Sequence, residues 1–446
     1  MISSNRLRVR STVSARTVFY SQRWQNNESG VVVISMDIVT SLENTIKNSK
    51  NGDVIYLSGG TIYKAFPVLS SKIGITIEGA EGGAVIGSEG ESTGFAGSFG
   101  KNNTIKNVTF CGSNAVHRAD VGGGTVTFEN CTFAGASTYG FHIDQSNGAT
   151  LIFTNCTFIG FNAFAGDLVK SVFNNCTFLH NGNYGHTNIW SVGEFNNCRW
   201  GDKASVSSKG SGKLFFNGVE ETYHHEFIGS AESLFAFAQS VNEGDDSWKN
   251  QRIFLVSDID LKNKLWTPIG QAGATTFAGV FDGNGHTIFN LKIDSSAKTN
   301  GNYSSGIFGC IEAPLTAVIK NFTVDGATVT GNRNVAVIVG CAYATTVENC
   351  HVKNAKLVCN HVKDDACGDK AGAIVGYAEN STELVKLVDC TATDSTVSAC
   401  RDAGQLIGAG YSASVNNCTT TNVIVTANGD STENSVNNAV IGCVFG

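Results

Sequence analysis

Three aspartates, Asp120, Asp144 and Asp167, recur at nearly equal intervals in a chain of 446 residues. Histidines accompany them: His142 in "FHID", His186 in "YGHTN", and His117 beside Arg118 in "VHRAD". On neighbouring repeats of a stacked fold, two carboxylates would lie about 5 Å apart, or about 10 Å across two repeats. Those separations bracket the two geometries of glycoside cleavage. Stacked carboxylates would also raise one another's pKa or hold Ca²⁺. The plainer reading makes them turn residues on a solvated face, because turns favour Asp, and it outweighs sugar contact and catalysis. Tyr139, Phe141, Phe161, Phe164, Tyr184 and Trp190 fall in the same region. Exposed rings stack on sugar faces, but aromatics also dominate interfaces. The candidate glycan contacts are therefore Tyr139, His142, Tyr184, His186 and Trp190, and the candidate acids are Asp120, Asp144 and Asp167. None of them is assigned a catalytic role.

The segment "FDGNGHT" places Asp282, Asn284 and His286 on alternate residues. A Ca²⁺ loop would need further acids at set offsets and a late Glu. A tight bend between strands is the expectation, since Asp-Gly and Asn-Gly favour such bends. No cofactor is expected, with Ca²⁺ as the weak alternative.

Residues so spaced need a repeating scaffold, and the chain writes one. "ENCTF" (129–133), "TNCTF" (154–158), "NNCTF" (174–178) and "NNCRW" (196–200) put Cys131, Cys156, Cys176 and Cys198 in one slot of successive units. "IKNVTF" puts Val108 in the same slot, one unit before Cys131. A period of twenty-odd residues marks a repeat architecture. Alternation as in "TVTFENCTF" marks strands. The expected fold is all-β: two tandem right-handed parallel β-helices. In such a stack Asn at a bend hydrogen-bonds its neighbours above and below and tolerates a left-handed backbone. Cys and Phe face inward, and Thr faces outward. Asn-Cys-Thr also fits the N-glycosylation pattern, but a bend ladder explains it better.

The ends of such a stack need covers. A short helix is expected near "TSLENTIKNS", where Thr40 and Glu43 have capping-box spacing. A second is expected after Ser230, where Leu234, Phe235, Ala238 and Val241 share a helical face. Two caps predict two stacks. The expected domains are a basic arm at 1–36, a first β-helix at 37–202, a polar linker at 203–229 and a second β-helix at 230–446. In the second, small-apolar-Gly runs close on Gly309, Gly340, Gly376, Gly408 and Gly442, a longer period than in the first.

Charged residues make up 15% of the chain and the net charge is −7, which excludes a general nucleic-acid binder. No stretch is long enough to span a membrane. The 14 cysteines contain no Cys-x-x-Cys pair and read as buried thiols folded in a reducing cytoplasm. The segment 1–30 holds Arg6, Arg8, Arg10, Arg16 and Arg23 against one acid, Glu28. It lacks the apolar run of a secretory signal and reads as a docking arm.

Residues 230–446 resemble β-helix regions with the GLUG motif, through "WTPIG", "FAGVFDGNGHTIFNLKI", "GIFG" and the repeated "G-x-IVG…NC-x-V". The first half resembles pectate-lyase-like right-handed β-helices, through "NGDVIYLSGGTIY" followed by "ITIEGA". These resemblances imply surface and adhesin-like proteins of gut bacteria and their phages, polysaccharide lyases, glycosidases or tailspikes. The polygalacturonase combination of an Asp-Asp pair with Gly-His-Gly is absent, and fold alone does not give function. The leading expectation is a phage virion protein, a fibre, spike or capsid-decorating appendage, made in the host cytoplasm. Its arm would dock on a capsid or tail protein, its β-helices would bind host-surface polysaccharide, and it would be a homotrimer by analogy with related spikes. The alternatives are a polysaccharide depolymerase tailspike and a bacterial surface adhesin.

Overall fold

The structure is a computed structural model. It describes all residues except 1–5, 9–19, 22–32, 35–36, 40–41, 60, 64–68, 70, 81–82, 89–97, 113–114, 117–118, 136–141, 146–147, 161–162, 165–169, 223, 246–250, 273–275, 299–302, 313–316, 361–369, 380–382, 428–439 and 443–446. The chain is nearly all β, its strands mostly paired in parallel, with two helices among the described residues. It divides into two compact units, Met1–His224 and His225–Gly446.

In the first unit, apart from two short antiparallel pairs at its ends, strands that follow one another along the chain pair with those of the next repeat rather than with each other. One sheet runs through Val54–Leu57, Thr76–Gly79, Thr104–Lys106, Thr125–Glu129, Thr150–Thr154, Lys170–Asn174, Val192–Asn196 and Lys213–Phe216. Its register aligns Ile55, Ile77, Ile105, Phe128, Phe153, Phe173, Phe195 and Phe216 in one row. A second sheet aligns Tyr63, Ile86, Phe110, Phe133, Phe158, Phe178 and Trp200. Period-two alternation sends these side chains inward and the intervening threonines outward. From Phe128 to Phe216 the first row stacks at 4.9, 5.1, 4.8 and 5.2 Å between ring centroids. From Phe110 to Trp200 the second stacks at 5.1, 5.0, 5.0 and 4.4 Å. Rings of the two rows meet edge to face, as Phe128 and Phe133 do at 5.4 Å and 78°. Each buried ring therefore has stacked neighbours in its own row and perpendicular ones across the core, the arrangements aromatic quadrupoles favour.

The bend between the sheets answers the Asn-Cys repeat. Asn107, Asn130, Asn155, Asn175 and Asn197 all have φ between 51° and 54°. Asn155 Nδ2 donates to Asn130 Oδ1 at 3.2 Å, and Asn130 Nδ2 to Asn107 Oδ1 at 3.1 Å. The cysteine that follows faces inward as a free thiol, and its Sγ donates to the carbonyl of the previous repeat. Cys131 reaches Ile105 at 3.5 Å and Cys156 reaches Phe128 at 3.5 Å. Burial pushes the Cys131 thiol well up, so it stays protonated.

Residues 203–222 differ from the expected linker. Ser205–Ser208 pairs in parallel with His186–Ile189, and Lys213–Phe216 with Val192–Asn196. Val206 and Leu214 are fully buried. Ser205 and Ser207 are buried as well, and one fully buried apolar position per strand, Val206 and then Leu214, is enough to continue the core. At the other end, Arg6–Arg8 pairs in parallel with Val54–Tyr56. The arm's alternating stretch thus finds its strand partner within the chain, on the edge that would otherwise be open. Asp37–Val39 pairs with Thr61–Tyr63. Helix α1 spans Leu42–Asn48, with Leu42 and Ile46 buried; Thr40 lies outside the described residues.

The second unit opens with helix α2, Ala231–Asn242. Ser230 caps it, accepting from Ser233 N at 3.1 Å, while Ser233 Oγ accepts from Ser230 N. Leu234, Phe237, Ala238 and Val241 are buried; Phe237 takes the inward place expected of Phe235. His225 is buried against Phe254, with centroids 5.1 Å apart. A long parallel sheet aligns Ile253, Phe281, Ile319, Val347, Leu387 and Val415. Around the next bend it aligns Ile259, Ile288, Val324, Val352 and Ala392. Two four-stranded parallel sheets complete the repeat.

The glycine runs sit in those smaller sheets, where backbones come too close for a side chain. A Cβ on Gly340 would lie 2.7 Å from Gly309 O, one on Gly376 2.6 Å from Gly340 O, and one on Gly408 2.5 Å from Gly376 O. Gly442 departs from the expected row. It pairs with Gly404, not Gly408, and so belongs to the neighbouring sheet. "FDGNGHT" is the expected bend. Asp282 Oδ1 accepts from Asn284 N at 2.9 Å, and His286 N donates to Gly283 O at 2.8 Å. The strands it joins both pair in parallel with Ala317–Asp325 rather than folding back as a hairpin.

Candidate functional site

The outward faces of the parallel strands carry the candidate residues. In the first unit a third sheet contains Ala119–Asp120, His142–Gln145, Ala163–Phe164, His186–Ile189 and Ser205–Ser208. Ile143, Phe164 and Ile189 align in one of its rows, with Ile143 and Ile189 buried. Thr187 is buried with Ile189, so His186, Asn188 and Trp190 alternate outward. Rise along a strand is about 3.3 Å per residue, so the stripe spans about 13 Å.

His186 is exposed, and its Nδ1 lies 2.7 Å from Ser205 Oγ. The His180 ring sits edge-on to it at 5.9 Å. Asn188 Oδ1 accepts from Ser207 Oγ at 3.0 Å. Trp190 is 47% exposed, and its indole covers the backbone at Gly210, the nearest ring atom 3.6 Å from where a Cβ would stand. Tyr184 closes a turn in which Asn181 Oδ1 accepts from Tyr184 N at 2.8 Å. Asn181 Nδ2 donates to Gly135 O at 2.7 Å, which ties that turn to the repeat two earlier. The stripe thus offers an imidazole and an amide on a strand paired on both sides, and an exposed indole one residue past its end.

The acid row expected from spacing does not form as drawn. Asp120 pairs with Gln145, because the register shifts between Ala119 and Asp120 and leaves Asp144 as the extra residue of a bulge. His142 pairs with Ala163, and Ala163 with Asn188, so His142 belongs to the Asn188 row rather than that of His186. Tyr139, Asp167, His117 and Arg118 lie outside the described residues, as do Arg10, Arg16 and Arg23. Arg6 and Arg8 belong to the edge strand described above.

In the second unit Asp282 is buried and held by its own bend. Asn321 Nδ2 donates to its Oδ1 at 3.0 Å, and Lys320 Nζ lies 3.5 Å from its Oδ2. His286 Nδ1 lies 3.2 Å from Asp258 Oδ1, which also accepts from Thr287 N at 2.9 Å. The Thr287 amide, with His286 beside it, holds the Asp258 carboxyl below its usual range. Among the described residues no group of three or more His, Cys, Asp or Glu is placed to hold a metal ion. No helix among them is long and apolar enough to cross a membrane.

No family model matches the chain. A stretch of 147 residues, 30% of the chain, is 32% identical to halomucin of Haloquadratum walsbyi. The chain spans only 2% of that protein's length. A solved complex of the alginate lyase AlyF-OU02 with G6 aligns over 91% of this chain and 90% of that one. The identity is 12% and the TM-score 0.20, too low to infer a shared fold.

Proposed function

We propose that the protein is a non-catalytic display protein whose two units wind as tandem right-handed parallel β-helices and bind polysaccharide on their outward faces. The parallel pairing of each repeat with the next, and the rows that keep one register through a unit, support the winding. The second unit's likeness to GLUG-motif regions rests on its sequence motifs. The binding reading rests on one observation: His186 and Asn188 face outward on a strand held on both sides, with the exposed Trp190 one residue past its end. Such a stripe gives a pyranose an aromatic face and hydrogen-bonding groups without ordering a loop. On this reading the chain is a virion protein made in the host cytoplasm. Its N-terminal arm meets a capsid or tail protein, it assembles as a homotrimer, and host-surface glycan is the ligand.

The test uses the full chain and a panel of purified bacterial capsular polysaccharides in affinity electrophoresis. Trp190→Ala should weaken binding about tenfold, roughly 1.4 kcal/mol, with an unchanged circular dichroism spectrum. Unchanged retardation of the variant would remove the stripe from the reading. New reducing ends or unsaturated uronates, lost in Asp144→Ala, would replace it with a depolymerase.

A further inference from the structure

One face of the second unit carries a row of unlike residues, each three positions after one of the repeated glycines. Strands Phe308–Ile311, Val339–Ala342, Val375–Ala378 and Ile407–Gly410 form a parallel sheet in which Ile311, Ala342, Ala378 and Gly410 align. The next residue in each later repeat donates its amide to that row: Tyr343 N to Ile311 O at 3.0 Å, Glu379 N to Ala342 O at 2.9 Å, and Tyr411 N to Ala378 O at 3.0 Å. Glu312, Tyr343, Glu379 and Tyr411 therefore follow one another up the sheet edge, one per repeat, bearing two carboxylates and two phenols. Adjacent strands are about 4.8 Å apart, so the row is about 14 Å long.

Tyr411 is 76% exposed, while Tyr343, Glu379 and Glu312 are half-buried. A shell beneath fixes the row. Tyr377 Oη donates to Glu379 Oε1 at 3.3 Å, and its ring meets that of Tyr411 edge-on at 6.2 Å. Below Tyr377 lies buried Lys370, its Nζ 4.4 Å from the ring centroid. The Glu379 carboxylate is thus oriented, and the Tyr411 ring is braced with its outer surface in water.

We infer that this row is a binding strip for an uncharged hexose polymer. A phenol ring offers a flat surface to the C–H face of a pyranose. A carboxylate accepts two hydrogen bonds from a vicinal diol, and charged acceptors make the stronger bonds. The two acids of the row outnumber the one buried ammonium beneath it, Lys370, so uronate and sulfate polymers are disfavoured relative to neutral ones. Sites repeated up one edge add avidity along a chain ligand. The inference goes beyond the Trp190 stripe and does not rest on it.

Full-length protein is run in affinity gels containing yeast mannan, dextran or laminarin, with alginate as competitor. At least one neutral polymer should retard the wild type. Tyr411→Ala and Glu379→Gln should each weaken that retardation about tenfold or more, while Val219→Ala, which truncates an exposed side chain outside both surfaces, leaves it unchanged and alginate does not compete. Tyr411 is exposed enough that its truncation leaves the fold intact, which thermal melting checks. The inference is overturned if none of the three polymers binds, or if Tyr411→Ala and Glu379→Gln bind as the wild type does. It is equally overturned if Trp190→Ala, rather than either of these, removes the binding, or if alginate competes.

Discussion

Asparagine at the bends does two jobs that no other side chain combines. It occupies the left-handed region, where an alanine is strained by about 1–2 kcal/mol, and its amide both donates and accepts. Asn155 has φ 53°, gives a hydrogen bond to Asn130 and donates its own N–H to Asn174 O at 2.9 Å. Asn155→Ala should cost about 2–3 kcal/mol, the strain plus about 1 kcal/mol for the lost side-chain bond. Asn155→Gly keeps the backbone unstrained and should cost only about 1 kcal/mol. The order Asn, Gly, Ala in urea unfolding midpoints checks this; equal midpoints for Gly and Ala would show that backbone strain is not what selects asparagine. In the second unit the ladder takes a directional form. Asn354 Nδ2 donates to Asp325 Oδ1 at 2.8 Å and Asn422 Nδ2 to Asp394 Oδ1 at 2.9 Å. A carboxylate can only accept, so each Asp needs an Asn as its partner, and a column of aspartates alone would repel itself.

At the scale of elements the two units solve packing differently. The first fills its interior with large rings in two rows and uses glycine at scattered close approaches, as at Gly79, where a Cβ would overlap Asn107 O. The second repeats its glycine at one position of successive strands. Gly376 is the clearest case, since a Cβ there would lie within 2.8 Å of backbone atoms of both Gly340 and Asn334. Backbone cannot yield as a side-chain tip can, so Gly376→Ala should destabilise the second unit by about 1–3 kcal/mol or more. Hydrogen exchange resolved by peptide should show faster exchange in Val375–Ala378 and its neighbours, with residues of the first unit unaffected. Uniform slow exchange in the variant would mean that the sheet can spread to accept a methyl group.

At the scale of the molecule, each unit holds its own core, and its thiols report on it. Cys131, Cys156 and Cys176 in the first unit, and Cys310, Cys350 and Cys390 in the second, are free and buried. Cys418 is only half-buried, and the hydrogen bond from the Cys390 thiol holds its own thiol below the usual range. Brief alkylation of the native protein near neutral pH should modify Cys418 well before those six, because the reagent reaches it while the other six are buried. Denaturant should expose the six buried sites. Mass mapping of the labelled cysteines checks the order; rapid labelling of Cys156 or Cys176 in the native state would contradict the closed rows.

The amino-acid sequence by itself determined which residues share a row wherever the repeat is written in like residues. The Asn-Cys-Thr-Phe units, with Val108 in the slot of Cys131, pair residue for residue as their spacing requires, because stacking places like side chains on like. The helix that opens the second unit was legible from Ser230 and its apolar face. Tertiary structure alone decided the rest. One extra residue in a strand shifts every later pairing, so near-equal spacing did not place Asp120 under Asp144. Residues 203–222 read as a linker because only Val206, Leu214 and a few companions turn inward, and burial, not composition, makes them core. Glu312, Tyr343, Glu379 and Tyr411 each stand three residues after an aligned glycine, so their common row was legible, but only the tertiary structure shows which of them are exposed and which are braced.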